Sequence, residues 1–198
     1  MCKIKDICWD AVLKHKVYHL KQAIDMIKIS KTLCTTFFLF LIFSAFGQQD
    51  QEIIAQLIFK KTNQLRQAKG LVPFKKLDSL DQIAQYHSDN MVQKKFYSHT
   101  DHEGLSPVER AEKFNIQAWR RIGNRFVGIA ENIAQVPWFE NVTKCGDTRS
   151  NEAIAECLVQ GWKSSPPHYK NILGDYVYLG VGIRFNTDLM GFATQNFR

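Results

Sequence analysis

Two histidines and one glutamate are the side chains of this 198-residue chain best suited to share a site. His99 follows Ser98 at the start of a polar loop running Tyr97-Ser98-His99-Thr100-Asp101-His102-Glu103-Gly104. His168 holds the third position of a short helix opened by Ser165-Pro166-Pro167, and Glu131 lies in a short apolar segment over 128–135. A helix N-terminus disfavours added positive charge, so His168 is expected to stay neutral. A neutral imidazole is a ligand for divalent metals. A carboxylate beside two imidazoles would supply a hard anionic ligand or orient a metal-bound water. Three such groups around an open fourth position have the composition of a catalytic zinc site, with Glu131 as general base. Spacing alone does not bring the three together; the fold must.

Other catalytic signatures are missing. His102-Glu103-Gly104-Leu105-Ser106 begins like HExxH, but Ser106 stands where the second histidine is required. No G-x-S-x-G elbow, P-loop or GxGxxG is present. Ser164 and Ser165 lie near His168, yet a hydroxyl before two prolines reads as a helix cap. Arg120, Arg121 and Arg125 beside Trp119 and Phe126 have the residue types of a phosphate or base contact, but with no repeated pattern they read as a solvated loop. His87 falls on an apolar helix stripe and reads as a core histidine with one hydrogen-bond partner.

The elements that must position these groups can be read from periodicity. Ile54, Leu57, Ile58, Leu65 and Ala68 recur at three- and four-residue steps and predict a helix over 50–69, ended by Gly70. A second helix is expected from Asp78 as N-cap, burying Leu80, Ile83, Ala84, His87 and Met91. Ser106-Pro107-Val108-Glu109 is a capping box with proline at the first helical position. It places Arg110 one turn in, able to tie the preceding loop to the helix through a carboxylate or carbonyl. Residues 115–127 and 136–149 read as irregular, and 128–135 as a strand. Ser150 or Asn151 opens a fourth helix to about Lys163, with Ala153, Ile154, Cys157, Leu158 and Gly161 on one face, and Ser165-Pro166 caps a fifth through Leu173. Val177, Leu179, Val181, Ile183 and Phe185 alternate, Asn186-Thr187-Asp188 turns, and 189–197 returns as a hairpin partner. Helices preceding strands indicate an α+β domain with helices on both sides of a small antiparallel sheet.

At 45% hydrophobic and 23% charged residues, the chain has enough apolar material for a core. Its net charge is +7. Seven lysines against three aspartates put +4 of this in residues 1–47, which leaves +3 for 48–198. That modest surplus argues against nucleic acid as a partner. Residues 1–47 read as a signal peptide with an extended leader. Lys28 and Lys31 precede the apolar run 32–46, and Ala45-Phe46-Gly47 closes it. Met26 is a candidate true start, and cleavage is expected near Gly47. The run is shorter than the about 20 residues that span a bilayer, and an uncleaved signal anchor is the other reading. Cys145 and Cys157 would then be the remaining cysteines, open between a disulfide in an oxidising compartment and a buried apolar Cys157. The expected location is secreted, periplasmic or otherwise extracytoplasmic, with no membrane span after signal removal.

Several segments taken in order resemble one family. They are Thr62-Asn63-Gln64-Leu65-Arg66, then Ala84 to Met91, Ser98-His99 and Ser106-Pro107-Val108-Glu109-Arg110. Next come Gly128-Ile129-Ala130-Glu131-Asn132-Ile133 and Trp162 to Leu173. Leu179-Gly180-Val181-Gly182 and Ala193-Thr194-Gln195-Asn196-Phe197 complete the set over 52–198. The chain resembles the CAP superfamily, or SCP domain, whose members include cysteine-rich secretory proteins, insect venom antigen 5, plant pathogenesis-related proteins and many bacterial secreted proteins.

The resemblance implies a three-layer α-β-α sandwich with a central cleft that carries two histidines and two glutamates. His99, Glu131 and His168 match three of these four, with Asn132 and Arg110 beside them. Ser165 stands where animal and plant members have the second glutamate, a departure similar to the bacterial branch. Divalent metals, zinc or a similar ion, are associated with the histidine pair of similar proteins, which here is His99 and His168; no organic cofactor is implied. The missing carboxylate favours a binding module over catalysis, with a small hydrophobic ligand, a cell-envelope component or a protein as partner. The alternative is a metal-dependent hydrolase with Glu131 as general base.

Overall fold

The computed structural model describes residues 50–198; the readings on the leader, its apolar run and its cleavage concern residues outside that range. Gln49–Arg198 forms a compact unit by itself. Helix α1 occupies 50–67. Its buried stripe is Ile54, Ile58, Thr62 and Arg66, so two polar side chains continue the apolar face, whereas Ala68 is exposed in the turn that follows. After it come β1 (Lys75–Lys76), α2 (Asp78–Gln93), α3 (Pro107–Lys113), β2 (Arg120–Ile122), β3 (Arg125–Val127) and β4 (Ala130–Pro137). The chain closes with α4 (Asn151–Ser164), α5 (Pro166–Ile172), β5 (Tyr178–Phe185) and β6 (Met190–Phe197).

The main sheet has the order β1-β5-β6-β4. Its two long pairings are antiparallel, and the two-residue β1 adds a short parallel edge to β5. Leu179, Val181, Ile183, Ala193 and Phe197 face a core shared with Ile54 and Ile58 of α1, Ile154, Leu158 and Trp162 of α4, and Ile172 of α5. On the other face, Leu80 and Ile83 of α2 pack with Ala111 of α3 and with Ile129, while Met91 meets Ile133 and Phe192. The domain is thus an α+β sandwich of three layers. The apolar clusters, the sheet and a disulfide all lie within this one unit, which has the makings of an independently folding domain.

Two glycines bring α2 against the sheet. A Cβ on Gly180 would sit 2.2 Å from the Leu80 carbonyl carbon, and one on Gly182 would sit 2.3 Å from the Gln85 nitrogen. Beyond β1, side chains of α2 also serve the open edge of β5. Asp81 accepts from the Val181 amide, and Gln85 bonds both the amide and the carbonyl of Ile183. Free strand edges are thereby satisfied within the chain instead of being left to pair with another one.

Local expectations are met at the starts of α3 and α4. Ser106 and Glu109 form the capping box of α3, and Ser150 caps α4 by accepting from the Ala153 amide. Three details differ. Leu77, not Asp78, is the N-cap of α2, and Asp78 is its first helical residue. Ser165 occupies the N-cap position of α5, but its side chain makes no capping bond. Pro166 and Pro167 carry no N–H, and the remaining candidate donor, the His168 amide, is not bonded by the Ser165 side chain. The buried stripe of α4 includes Trp162, while Gly161 is exposed. The stretch 115–127, read as irregular, contains hairpin β2–β3. Cys145 and Cys157 form a disulfide, Cα–Cα 5.3 Å, that ties the 138–149 loop to α4.

Candidate functional site

Strand β4 carries the site because it is the outer strand of the sheet. Successive side chains of a strand point to opposite faces, so Glu131 and Asn132 serve different layers. Glu131 faces the α2/α3 side, where four cationic or polar side chains reach it. His99 Nδ1 donates to Oε1 at 2.9 Å, and His87 Nε2 lies 3.8 Å from the same oxygen. Arg110 donates to Oε2, which also accepts from Asn196 Nδ2 at 3.1 Å. The Glu131 and Arg110 side chains are each 1% exposed.

Burial by itself would raise the Glu131 carboxyl above the ordinary range. The hydrogen bond from His99 and the Arg110 charge outweigh it and hold the carboxyl below that range. Arg110 does more than neutralise. Its Nη1 donates to the His99 carbonyl at 2.7 Å and the Leu105 carbonyl at 2.9 Å. The polar loop is thus pinned at both ends by a guanidinium that the capping box of α3 delivers. Inside the loop, Asp101 Oδ1 accepts from the Glu103 and Leu105 amides.

His99 is half exposed. With Nδ1–H committed to Glu131, a neutral ring keeps the Nε2 lone pair for an outside partner, the arrangement in which a carboxylate orients a metal-binding imidazole. His168 comes from α5, on the other side of β4. Its carbonyl accepts from Asn132 Nδ2 at 3.1 Å. Burial and then the proximity of His99 hold its imidazole below the usual histidine value. Neutrality agrees with the sequence reading, but the causes here are desolvation and a neighbouring histidine.

Asn132 is fully buried and works on the α5 side. It donates to the His168 carbonyl and to Gln195 Oε1, and accepts from Asn171 Nδ2 at 2.9 Å. It positions α5 and lies on the face of β4 opposite to Glu131. The outward carbonyls of β4 are taken by flanking side chains. Asn171 Nδ2 donates to the Glu131 carbonyl at 3.3 Å, and Trp162 Nε1 and Tyr97 Oη donate to the Ile133 carbonyl at 3.1 and 3.2 Å. Glu156 of α4 pairs with Lys61 of α1.

Two members of the network were not assigned to it from sequence. His87 is fully buried and donates from Nε2 to the Ser98 carbonyl at 2.9 Å, the single partner expected of a core histidine, yet its ring also stands beside Glu131. Burial keeps it below the ordinary histidine value. Asn196 pairs in register with Glu131 across β6 and β4. Only that register, which no local pattern announces, brings its amide to the carboxylate.

The sequence model of the Cysteine-rich secretory protein family, CAP, matches residues 59–197. The chain belongs to this family. The chain is 27% identical over 126 residues to the uncharacterized protein YkwD of Bacillus subtilis (strain 168), over 63% of this chain and 40% of that protein. The chain therefore spans well under half of that relative's length. Among solved structures, it is similar to an extracellular protein containing a SCP domain from Bacillus anthracis str. Ames. That match has a TM-score of 0.57 and 25% identity over 76% of this chain and 42% of the other. The same fold occurs in an outer surface protein from Borrelia burgdorferi, TM-score 0.56 and 17% identity, over 73% of this chain and 90% of that one. With the family model, the two Bacillus matches support a bacterial member of the family. Among the described residues, no helix is long and apolar enough to cross a membrane.

Proposed function

We propose that this CAP protein is an exported binding module whose cleft presents His99 and His168 as a metal-capable pair. The occupation of the Glu131 carboxylate carries the reading. Its two oxygens already accept from His99, Arg110 and Asn196, and it is buried. A general base needs a lone pair aimed at the water it activates; this carboxylate instead fixes the ring that faces outward. Export is supported by the similarity to a Bacillus anthracis protein described as extracellular and by the signal-like segment over 32–46.

The donor set fits a weakly caged divalent ion such as Zn²⁺. His99 offers Nε2, and His168 is a neutral ring nearby. Among the described residues, no group of three or more His, Cys, Asp or Glu is placed to hold a metal. A bound ion would complete its coordination with water or with the partner. This differs from the three-ligand, one-water arrangement of catalytic zinc. The partner is of the small hydrophobic, cell-envelope or protein class, held at the cleft between the His99 loop and α5.

Calorimetric titration of the Gln49–Arg198 unit with Zn²⁺ tests the reading. One micromolar site per chain is expected, lost in both His99→Ala and His168→Ala, and weakened by about 10- to 100-fold in Glu131→Gln. Binding that survives both histidine changes, or no binding at all, removes the metal from the proposal. Zinc-dependent peptide or ester hydrolysis that Glu131→Gln abolishes while zinc stays bound would replace the binding module with the hydrolase.

A further inference from the structure

Hairpin β2–β3 plays no part in the network around Glu131, and its surface is unusual. Arg121 and Phe126 are cross-strand partners and therefore stand side by side on one face. Trp119 continues that face. Its ring lies over Gly128, where an added Cβ would approach the indole to 3.2 Å and Val108 to 2.9 Å. The indole Nε1–H is held by Glu112 at 3.1 Å. Gly128 thus gives the indole a fixed seat, yet Trp119 remains 47% exposed and Phe126 72% exposed. Arg120, on the opposite face, turns back to the Asp175 carbonyl. Arg121 donates to Gly123 within the turn, whereas Arg125, paired with Ile122, is exposed on the other face near the hairpin tip. The salt bridge described for this hairpin involves Arg120, so the Arg121 and Arg125 charges have no carboxylate partner among the described residues.

We infer that hairpin β2–β3 docks the domain onto an anionic phospholipid bilayer. Phe126 and Trp119 enter the boundary between headgroups and acyl chains, Arg121 meets the lipid phosphates on the same face, and Arg125 reaches them from the other face at the hairpin tip. Amphipathic aromatic rings favour that boundary, and basic side chains near an anionic surface are attracted to it. A dissolved polyanion would satisfy the two arginines but would leave Phe126 in water, which is why a bilayer is the better match. The surplus of +3 over residues 48–198 acts in the same direction. The inference is independent of the metal-capable site, because none of these residues touches His99 or His168.

Co-sedimentation of the Gln49–Arg198 unit with vesicles provides the test, using phosphatidylcholine alone and an equal mixture with phosphatidylglycerol. Binding is expected to the mixed vesicles, weak on phosphatidylcholine, and reduced by salt. Each arginine accounts for about a fivefold change, so the double change Arg121→Glu/Arg125→Glu should weaken partitioning by about 25-fold or more. Phe126→Ser should weaken it by about tenfold. Phe139→Ser, at an exposed aromatic outside the hairpin, should leave it unchanged. Thermal midpoints check that the variants fold. A blue shift of tryptophan emission on mixed vesicles, absent in Trp119→Phe, gives a reading that needs neither of the other variants. The inference fails if the unit ignores mixed vesicles or if the hairpin variants sediment like the parent. It also fails if dissolved polyphosphate binds equally to the parent and to Phe126→Ser and displaces no vesicle.

Discussion

Replacing Arg110 by methionine tests the buried charge pair at the centre of the site. The methionine side chain has a comparable length and no charge. It would leave the Glu131 carboxylate, 1% exposed, with His99 and Asn196 as its remaining hydrogen-bond donors. It would also strip the His99 and Leu105 carbonyls of their shared donor. Removing one partner of a buried ion pair costs about 3–5 kcal/mol. With a urea dependence of about 1–3 kcal/mol per molar, that loss moves the unfolding midpoint by about 2 M.

The pH dependence of this loss has a defined sign. The folded-state Glu131 carboxyl lies below its ordinary value of 4.5. The stabilisation is therefore complete above that value and disappears as the pH falls through the folded-state one. The deficit of Arg110→Met should accordingly be full at neutral pH and narrow in acid, as the parent loses the same interaction by protonation. Glu131→Leu combined with Arg110→Met should lose less than the two single changes added together, because neither charge is then left alone. Urea unfolding at several pH values is the assay. A deficit below about 1 kcal/mol, the range of exposed pairs, or one that stays constant into acid, would refute the reasoning.

Three further outcomes follow from other parts of the fold. Cys157→Ser opens a disulfide that closes a 12-residue separation and should cost about 3 kcal/mol by the chain-entropy estimate; reduction of the parent should give the same midpoint in denaturant. Gly182→Ala forces a methyl against the α2 backbone at Gln85. Overpacking that flexible side chains can absorb costs about 1–3 kcal/mol, and here the obstacle is backbone, so the variant should reach or exceed the upper end in thermal unfolding. The buried His87, held below the ordinary 6.5, contributes stability that is present above that value and is lost as the pH falls from it toward the folded-state value. His87→Gln should flatten the part of the stability profile that begins to decline near 6.5, measured by urea unfolding at stepped pH.

Features set by neighbours three or four residues apart were legible in the chain. The capping box at Ser106 and Glu109, the cap at Ser150, the apolar stripe of α2 and the alternation of β5 all rest on such short-range geometry. The order of motifs likewise carried the family and its layers. Arg110 was placed correctly as a tie between loop and helix because its own capping box fixes where it emerges. Ser165 sits at the N-cap of α5 without a capping bond, because residue type does not fix the side-chain rotamer that would aim its hydroxyl at the His168 amide, the donor left once Pro167 removes the other.

What joins distant segments had to come from the tertiary structure. Asn196 meets Glu131 across 65 residues of sequence, through a strand register that no local pattern specifies. Sheet alternation sends Asn132 to the face opposite its neighbour Glu131, so two adjacent residues grouped in one cleft serve different layers. The position of β4 at the sheet margin turns Trp162, Tyr97 and Asn171 into partners for its outward carbonyls. Residue type made these side chains capable of such bonds. Burial made the bonds necessary, since a polar group removed from water must find a partner, and burial is decided only when the layers close.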